Sequence, residues 1–199
     1  MNLYPLARVV APPAMYIAFR LKFEGVENLP QEGGYILAAN HRSYIDPVIL
    51  SIPIHRKLNY VAKDSLFKNK LFGWLIRSLG AFPINRNIVD GNALGYAEEL
   101  LKKGENVVIF PEGTRSTTGK PGRAKAGAVL VACSIGAKIV PVGITAPKKI
   151  GFRSKITIRF GEPIDPASFG VEGRSAAALR AASGMMMEKI VALLDEEAR

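Results

Sequence analysis

The sequence predicts an α/β domain in which a largely parallel central sheet is flanked by helices. Three observations point there. Short runs of β-branched and aromatic residues alternate with longer segments of helical composition along the chain. Glycines close two of the helical segments, at Gly104 and Gly136. A chain of 199 residues that is 48% hydrophobic and 22% charged suits a single domain with one sizeable core.

Residues 35–39, 57–62, 107–110, 139–145 and 155–160 read as strands, each a short run rich in Val, Ile, Tyr and Phe. Residues 70–79, 91–103, 124–136 and 175–197 read as helices. The run Ile139-Val140-Pro141-Val142-Gly143-Ile144 is apolar with a proline kink, and by itself it is a core strand. Ahead of all these lies an 11-residue apolar run, residues 9–19, between Arg8 and Arg20. It falls short of the roughly 20 residues that span a bilayer. No small-residue cleavage site comes after it, as a signal peptide would require. Its paired Pro12 and Pro13 predict an interrupted interfacial helix.

The net charge is +10, and one segment carries all of it. Residues 113–161 hold ten Lys and Arg and no Asp or Glu, while the remaining 17 basic residues balance the 17 acidic ones. Such a stretch suits an anionic partner. A nucleic acid is not expected, because only Phe152 and Phe160 interleave the cations and no reader motif is present. Cys133 is the one cysteine, so no disulfide supports the fold and a reducing compartment is expected.

Ligands of parallel sheets bind beyond the carboxyl ends of strands. Attention therefore falls on the residues after Ala39, those after Phe110, and the turn 82–86. After Ala39 comes Asn40-His41-Arg42-Ser43-Tyr44-Ile45-Asp46. A neutral imidazole takes a proton from an attacking hydroxyl when a carboxylate holds its other nitrogen. Asp46 reaches His41 only through a turn, which Ser43 and Pro47 permit. On the residues alone a second role stands equal: Asp46 as helix N-cap ahead of a first-turn proline. After Phe110 comes Pro111-Glu112-Gly113-Thr114-Arg115-Ser116. Gly113 allows close backbone approach, Thr114 offers a hydroxyl and Arg115 a planar fork for phosphate. Residues 113–120 approximate a nucleotide-binding loop but miss its spacing, and Pro121 takes its Ser/Thr position, so ATP is not expected. Gly80-Ala81-Phe82-Pro83-Ile84-Asn85-Arg86 ends in a cation that a phosphate, a helix terminus or a surface carboxylate would satisfy.

These four elements, in this order, resemble the glycerolipid acyltransferase family, the lysophosphatidic acid acyltransferases and their relatives. That family carries Asn-His-x4-Asp, Gly-x5-Arg, Phe-Pro-Glu-Gly-Thr-Arg-Ser and Val-Pro-Val, and here residues 25–30, Gly-Val-Glu-Asn-Leu-Pro, resemble its lead-in. The resemblance covers roughly residues 23–145. It implies His41 as general base and Asp46 as its orienting partner. It implies that Arg86, Glu112, Gly113 and Arg115 bind the acceptor, with the Thr114 hydroxyl beside them and Lys125 at a further basic position. It implies acyl-CoA or acyl-ACP as co-substrate, with no cofactor and no metal. Pro83 departs from the family pattern, so a break is expected in the strand that leads to Arg86.

The expected organisation is a short apolar, membrane-interfacial segment over residues 1–22 and an acyltransferase domain over residues 23–199. The expected activity moves a fatty acyl group to the free hydroxyl of 1-acylglycerol 3-phosphate, giving phosphatidic acid. Glycerol 3-phosphate or a glycolipid is the alternative acceptor, and an inactive lipid-binding module the alternative class. Retention of both His41 and Asp46 argues against inactivity. Expected partners are the thioester donor, the phosphate-bearing lipid, an anionic membrane surface and acyl carrier protein. The expected location is peripheral, on the cytoplasmic face of the membrane. Direct transfer is expected, because no Gly-x-Ser-x-Gly turn is present and Cys133 sits in an apolar helix. Residues 71–79 and 139–144 are candidates either to line an acyl channel or to form core, with the two roles equal on the residues alone.

Overall fold

The computed structural model describes residues 3–84, 91–116, 118–171, 173 and 175–195. Among them seven strands form one sheet: β1 (Arg20–Glu24), β2 (Ile36–Ala39), β3 (Leu58–Lys63), β4 (Ala81–Ile84), β5 (Asn106–Ile109), β6 (Ile139–Thr145) and β7 (Lys155–Phe160). Their order is β1-β7-β6-β2-β5-β3-β4. Every pairing is parallel except β6 with β7. This is the single α/β domain with a mostly parallel sheet that the alternation of elements predicts.

β2 organises the core. All four of its side chains are buried, which is why its sequence is continuously apolar rather than alternating. The period-2 geometry sends Ile36 and Ala38 to one face and Leu37 and Ala39 to the other. The first face packs with α4 (Gly91–Lys102), α5 (Gly127–Ile135) and α6 (Ala176–Ala192), through Leu100, Val129 and Met186 among others. The second packs with α2 (Asp46–Ser51) and α1 (Tyr4–Ala18), through Ile49, Leu50 and Met15. Each fully buried Leu, Ile or Met contributes about 1.5–3 kcal/mol. The chain leaves β2 toward β3 on one side and leaves β5 toward β6 on the other. After β2 the chain enters α2 on one face and after β5 it enters α5 on the other, so the two connections part to opposite faces at the carboxyl ends of β2 and β5, the place where an open α/β sheet leaves a crevice.

Three expectations need correction. α1 is not interrupted: it runs through Pro12 and Pro13. The prolines remove two intrahelical donors, yet tertiary anchors hold the helix. The Arg8 guanidinium donates to the carbonyls of Ser51 and Ile54, and the Leu58 N–H donates to the Tyr4 hydroxyl. Pro83 does not break its strand. β4 is an edge, and the Tyr60 N–H donates to the Gly80 carbonyl. Alternation then turns residues 80, 82 and 84 toward β3 and Pro83 outward, where no ladder bond is lost. Finally, β1 joins the sheet beside β7, so the boundary expected after residue 22 falls inside a strand. Among the described residues no helix is long and apolar enough to cross a membrane.

Candidate active site

The end of β2 is fastened before the chemistry begins. The Asn40 amide donates to the Ile144 carbonyl at 3.0 Å and accepts from the Ile144 N–H at 2.6 Å. A single buried side chain thus extends the β2–β6 ladder by one rung. His41 comes next. Its N–H donates to Glu112 Oε1 at 2.9 Å and its carbonyl accepts from the Ser116 N–H at 2.8 Å. The loop after β5 therefore grips the histidine backbone from both sides.

The imidazole is fixed as firmly. His41 Nδ1 lies 2.8 Å from Asp46 Oδ2. The ring stacks on Phe110 with centroids 4.0 Å apart and planes 19° from parallel. Asp46 Oδ2 also accepts from the N–H groups of Arg42, at 2.6 Å, and Ser43, at 2.8 Å. The five-residue spacing thus closes through a turn whose amides converge on one carboxylate oxygen. Asp46 does not cap α2: the N-cap position is Ile45, and Pro47 occupies the first turn. The buried carboxylate holds the ring proton on Nδ1, which leaves Nε2 as the basic nitrogen.

The turn after β5 holds the remaining expected residues. Glu112 is buried, and its second oxygen accepts from the Gly122 N–H at 2.7 Å. Gly113 has φ 71°, in the left-handed region, and a Cβ there would come within 3.1 Å of Lys125 Cε. A side chain at 113 would both strain the turn and displace Lys125. Lys125 is exposed and is anchored by its N–H on the Pro111 carbonyl at 2.8 Å. Thr114 and Arg115 are exposed, and the Arg115 guanidinium sits 3.5 Å from the centre of the Tyr44 ring. Arg86 lies outside the described residues.

Arg42 was not singled out by sequence. Its guanidinium donates to the carbonyls of Gly119 at 2.6 Å, Ala146 at 3.1 Å and Pro147 at 3.2 Å. Burial pulls its pKa below the ordinary arginine value, against the opposing pull of Asp46 and Glu112. Arg42 staples the loops after β2, β5 and β6 together. Asn40, Tyr44 and Phe110 were likewise missed as site residues, although all lie inside or beside the motifs.

His41, Tyr44, Phe110, Thr114 and Arg115 line one cavity of about 550 Å³. Its other walls are largely apolar and include Ala7 and Ala11 of α1 and Phe72, Ile76 and Leu79 in and just after α3 (Lys70–Ser78). Part of the run 71–79 thus lines the cavity. The run 139–144 does not: β6 is buried core. Among the described residues no group of three or more His, Cys, Asp or Glu is placed to hold a metal ion.

Cys133 lies in α5, where burial pushes its thiol above the ordinary value. A thiol so protonated is a poor nucleophile. Cys133→Ser is expected to keep turnover close to that of the parent protein. Intact-mass measurement after incubation with donor alone should show no acyl adduct. A rapid stoichiometric adduct at Cys133 would demonstrate a covalent route instead.

With this geometry in place, the similarity to known proteins is informative. The sequence model of the family described as Acyltransferase matches residues 20–145. A 1-acyl-sn-glycerol-3-phosphate acyltransferase of Streptococcus pneumoniae is 36% identical over 149 residues, covering 72% of this chain and 55% of that protein. One of Bacillus subtilis is 34% identical over 153 residues, covering 75% of this chain and 76% of that protein. The crystal structure of the 1-acyl-sn-glycerophosphate acyltransferase from Thermotoga maritima superposes with a TM-score of 0.73 at 26% identity, over 99% of this chain and 80% of that one. The chain thus spans from about half to three quarters of the length of these two curated relatives. The matched segment contains His41, Asp46 and the turn 110–116, and the chain belongs to the Acyltransferase family.

Proposed function

We propose that this protein transfers a fatty acyl group from an acyl-CoA or acyl-ACP thioester to the free hydroxyl of 1-acylglycerol 3-phosphate. The observation that carries the proposal is His41, held by buried Asp46, in the wall of a largely apolar cavity whose lining also includes Arg115. The Streptococcus pneumoniae and Bacillus subtilis relatives, both 1-acyl-sn-glycerol-3-phosphate acyltransferases, support the acceptor.

The acceptor's phosphate docks on Arg115 and Lys125, and the family motif assigns Arg86 to the same phosphate. Each charge-assisted hydrogen bond contributes about 1.5–3 kcal/mol. The neighbouring hydroxyl gives its proton to His41 Nε2 as its oxygen attacks the thioester carbonyl. Asp46 stabilises the imidazolium that forms. Collapse of the tetrahedral intermediate breaks the C–S bond. The leaving thiolate takes the proton from the imidazolium and restores the neutral base. The acyl chain lies in the apolar cavity, where its burial supplies binding energy independent of the headgroup.

The proposal includes peripheral membrane attachment, since the lysophosphatidic acid acceptor and the phosphatidic acid product both partition into bilayers. α1 exposes Leu6, Val9, Val10 and Ile17, and α3 exposes Leu71, Phe72, Trp74 and Leu75. Lining by α1 and α3 connects these apolar surfaces to the cavity.

Arg115 provides the test. Lysophosphatidic acid should be a far better acceptor than the matching monoacylglycerol. Arg115→Ala should lose about ten- to a hundredfold in kcat/KM with the phosphorylated acceptor and much less with the neutral one. Arg115→Lys should restore this only in part, because a point charge does not reproduce the fork. Steady-state kinetics on both acceptors, beside thermal unfolding, checks this. Equal proportional losses with a lowered Tm would leave Arg115 a structural residue that merely stacks on Tyr44.

A further inference from the structure

We infer that the β6–β7 loop, residues 146–154, is a membrane-docking element that inserts Phe152 into an anionic lipid surface beside the active site. The inference rests on the peripheral attachment just proposed and names a further contact, on the β6–β7 loop beside the end of α1.

The loop ends in a tight turn. The Ser154 N–H donates to the Gly151 carbonyl at 3.1 Å, and the Gly151 N–H donates to the Ser154 hydroxyl at 2.9 Å. Phe152 and Arg153 are the central residues. Arg153 has φ 62°, and it is the one non-glycine residue in the left-handed region among those described. A residue held there carries a conformational cost and persists only where its surroundings impose it. Here the end of α1 imposes it. The Arg153 N–H donates to the Ala18 carbonyl at 2.6 Å, the Arg153 guanidinium to the Tyr16 carbonyl at 3.3 Å, and the Arg20 N–H to the Ser154 carbonyl at 2.9 Å.

This strained, well-tied turn presents Phe152 with 78% of its surface exposed, the most exposed large apolar side chain described. An isolated apolar residue on a surface is ordinary. A phenylalanine at the apex of a braced turn, flanked along the chain by exposed cations, is not. Lys148, Lys149, Arg153 and Lys155 are all exposed. Arg20 and Lys155 are register partners on adjacent strands, so two like charges face each other there. No ion pair among the described residues engages Lys148, Lys149 or Lys155. Cations around an apolar apex match an anionic headgroup layer over hydrocarbon. An acidic protein partner would satisfy the charges and leave Phe152 without a sink.

Location supports the same occupant. Exposed Tyr16 and Ile17 of α1 continue the apolar surface next to the turn. Arg42, within the His41–Asp46 loop, donates to the Ala146 and Pro147 carbonyls at the root of the docking loop. Insertion of Phe152 therefore holds the active-site end of the sheet against the bilayer.

The test uses the full chain and vesicles of phosphatidylcholine with or without phosphatidylglycerol. In a Trp74→Phe/Phe152→Trp variant the one tryptophan reports on the apex. Its emission should shift to the blue on anionic vesicles and be quenched by lipids labelled at shallow acyl positions. Phe152→Asp should weaken vesicle sedimentation about tenfold or more. Lys148→Ala/Lys149→Ala should do the same at low salt and lose the difference at high salt. Phe152→Asp should leave turnover of short-chain, water-dispersed substrates at the parent level, which confirms an intact fold and site. Vesicle binding without a response at residue 152 would overturn the docking loop and leave attachment through α1 and α3. Absence of vesicle binding would overturn both. If Phe152→Asp lost only turnover that depends on an acidic carrier protein, with vesicle binding intact, a protein partner would replace the lipid.

Discussion

His41→Ala is expected to lose about 10²–10⁴-fold in kcat, the usual contribution of a positioned general base, while the protein stays folded. The imidazole is joined to the fold by the Asp46 contact at 2.8 Å and by stacking on Phe110. Its removal affects few other side-chain contacts. The backbone bonds from His41 to Glu112 and Ser116 survive in alanine. Far-UV circular dichroism and Tm should stay close to the parent values while turnover collapses. Added imidazole should restore part of the turnover in this variant and none in Asp46→Asn. Near-parent activity in a folded His41→Ala protein would remove the base from the mechanism.

Asp46→Asn should cost a similar factor for a different reason. Oδ2 accepts from His41 Nδ1 and from the N–H groups of Arg42 and Ser43. An amide oxygen in the same place can keep the two backbone donors. It carries no charge to stabilise an imidazolium. If the amide nitrogen faces the ring instead, it donates to Nδ1, places the ring proton on Nε2 and blocks the base. Turnover is expected to fall about 10²–10⁴-fold. Asp46→Ala should add a fold penalty of about 1–3 kcal/mol for each donor left dry, because the site is buried. Comparison of kcat with thermal unfolding for the two variants separates orientation from stability. Retention of most activity in Asp46→Asn would assign the carboxylate to the turn and not to the chemistry.

Much of this was legible in sequence because it is local. β2 and β6 were visible as apolar runs, and His41 and Asp46 as a pair that only a turn can close. β1 was harder. Arg20-Leu21-Lys22-Phe23-Glu24 alternates correctly, but it is short and comes directly after an apolar run that already claims a helix. The fate of Pro12 and Pro13 depended on anchors from Arg8 and Tyr4 to residues more than 40 positions away, and propensity holds no trace of those. The same limit hid Asn40 and Arg42. Their partners lie 104 residues off at Ile144 and Ala146, and in the case of Arg42 also 77 residues off at Gly119. A side chain that bonds to backbone carbonyls leaves no signature at the receiving end, because any residue supplies a carbonyl.

Pro83 illustrates a different kind of information. It sits in the outer row of edge strand β4, with its nitrogen turned away from β3. An open sheet edge is a template on which a stray strand can grow, whether from a nascent chain or from a neighbouring molecule. Templating needs donors at regular intervals, and this edge lacks one at position 83. The departure from family pattern that first looked like a flaw in the route to Arg86 thus removes one of the outward donors that strand addition would use. The strand so altered is four residues long and flanks the cavity that Ala81 helps to line, so a neighbouring chain would find there a short edge with an interrupted row of donors.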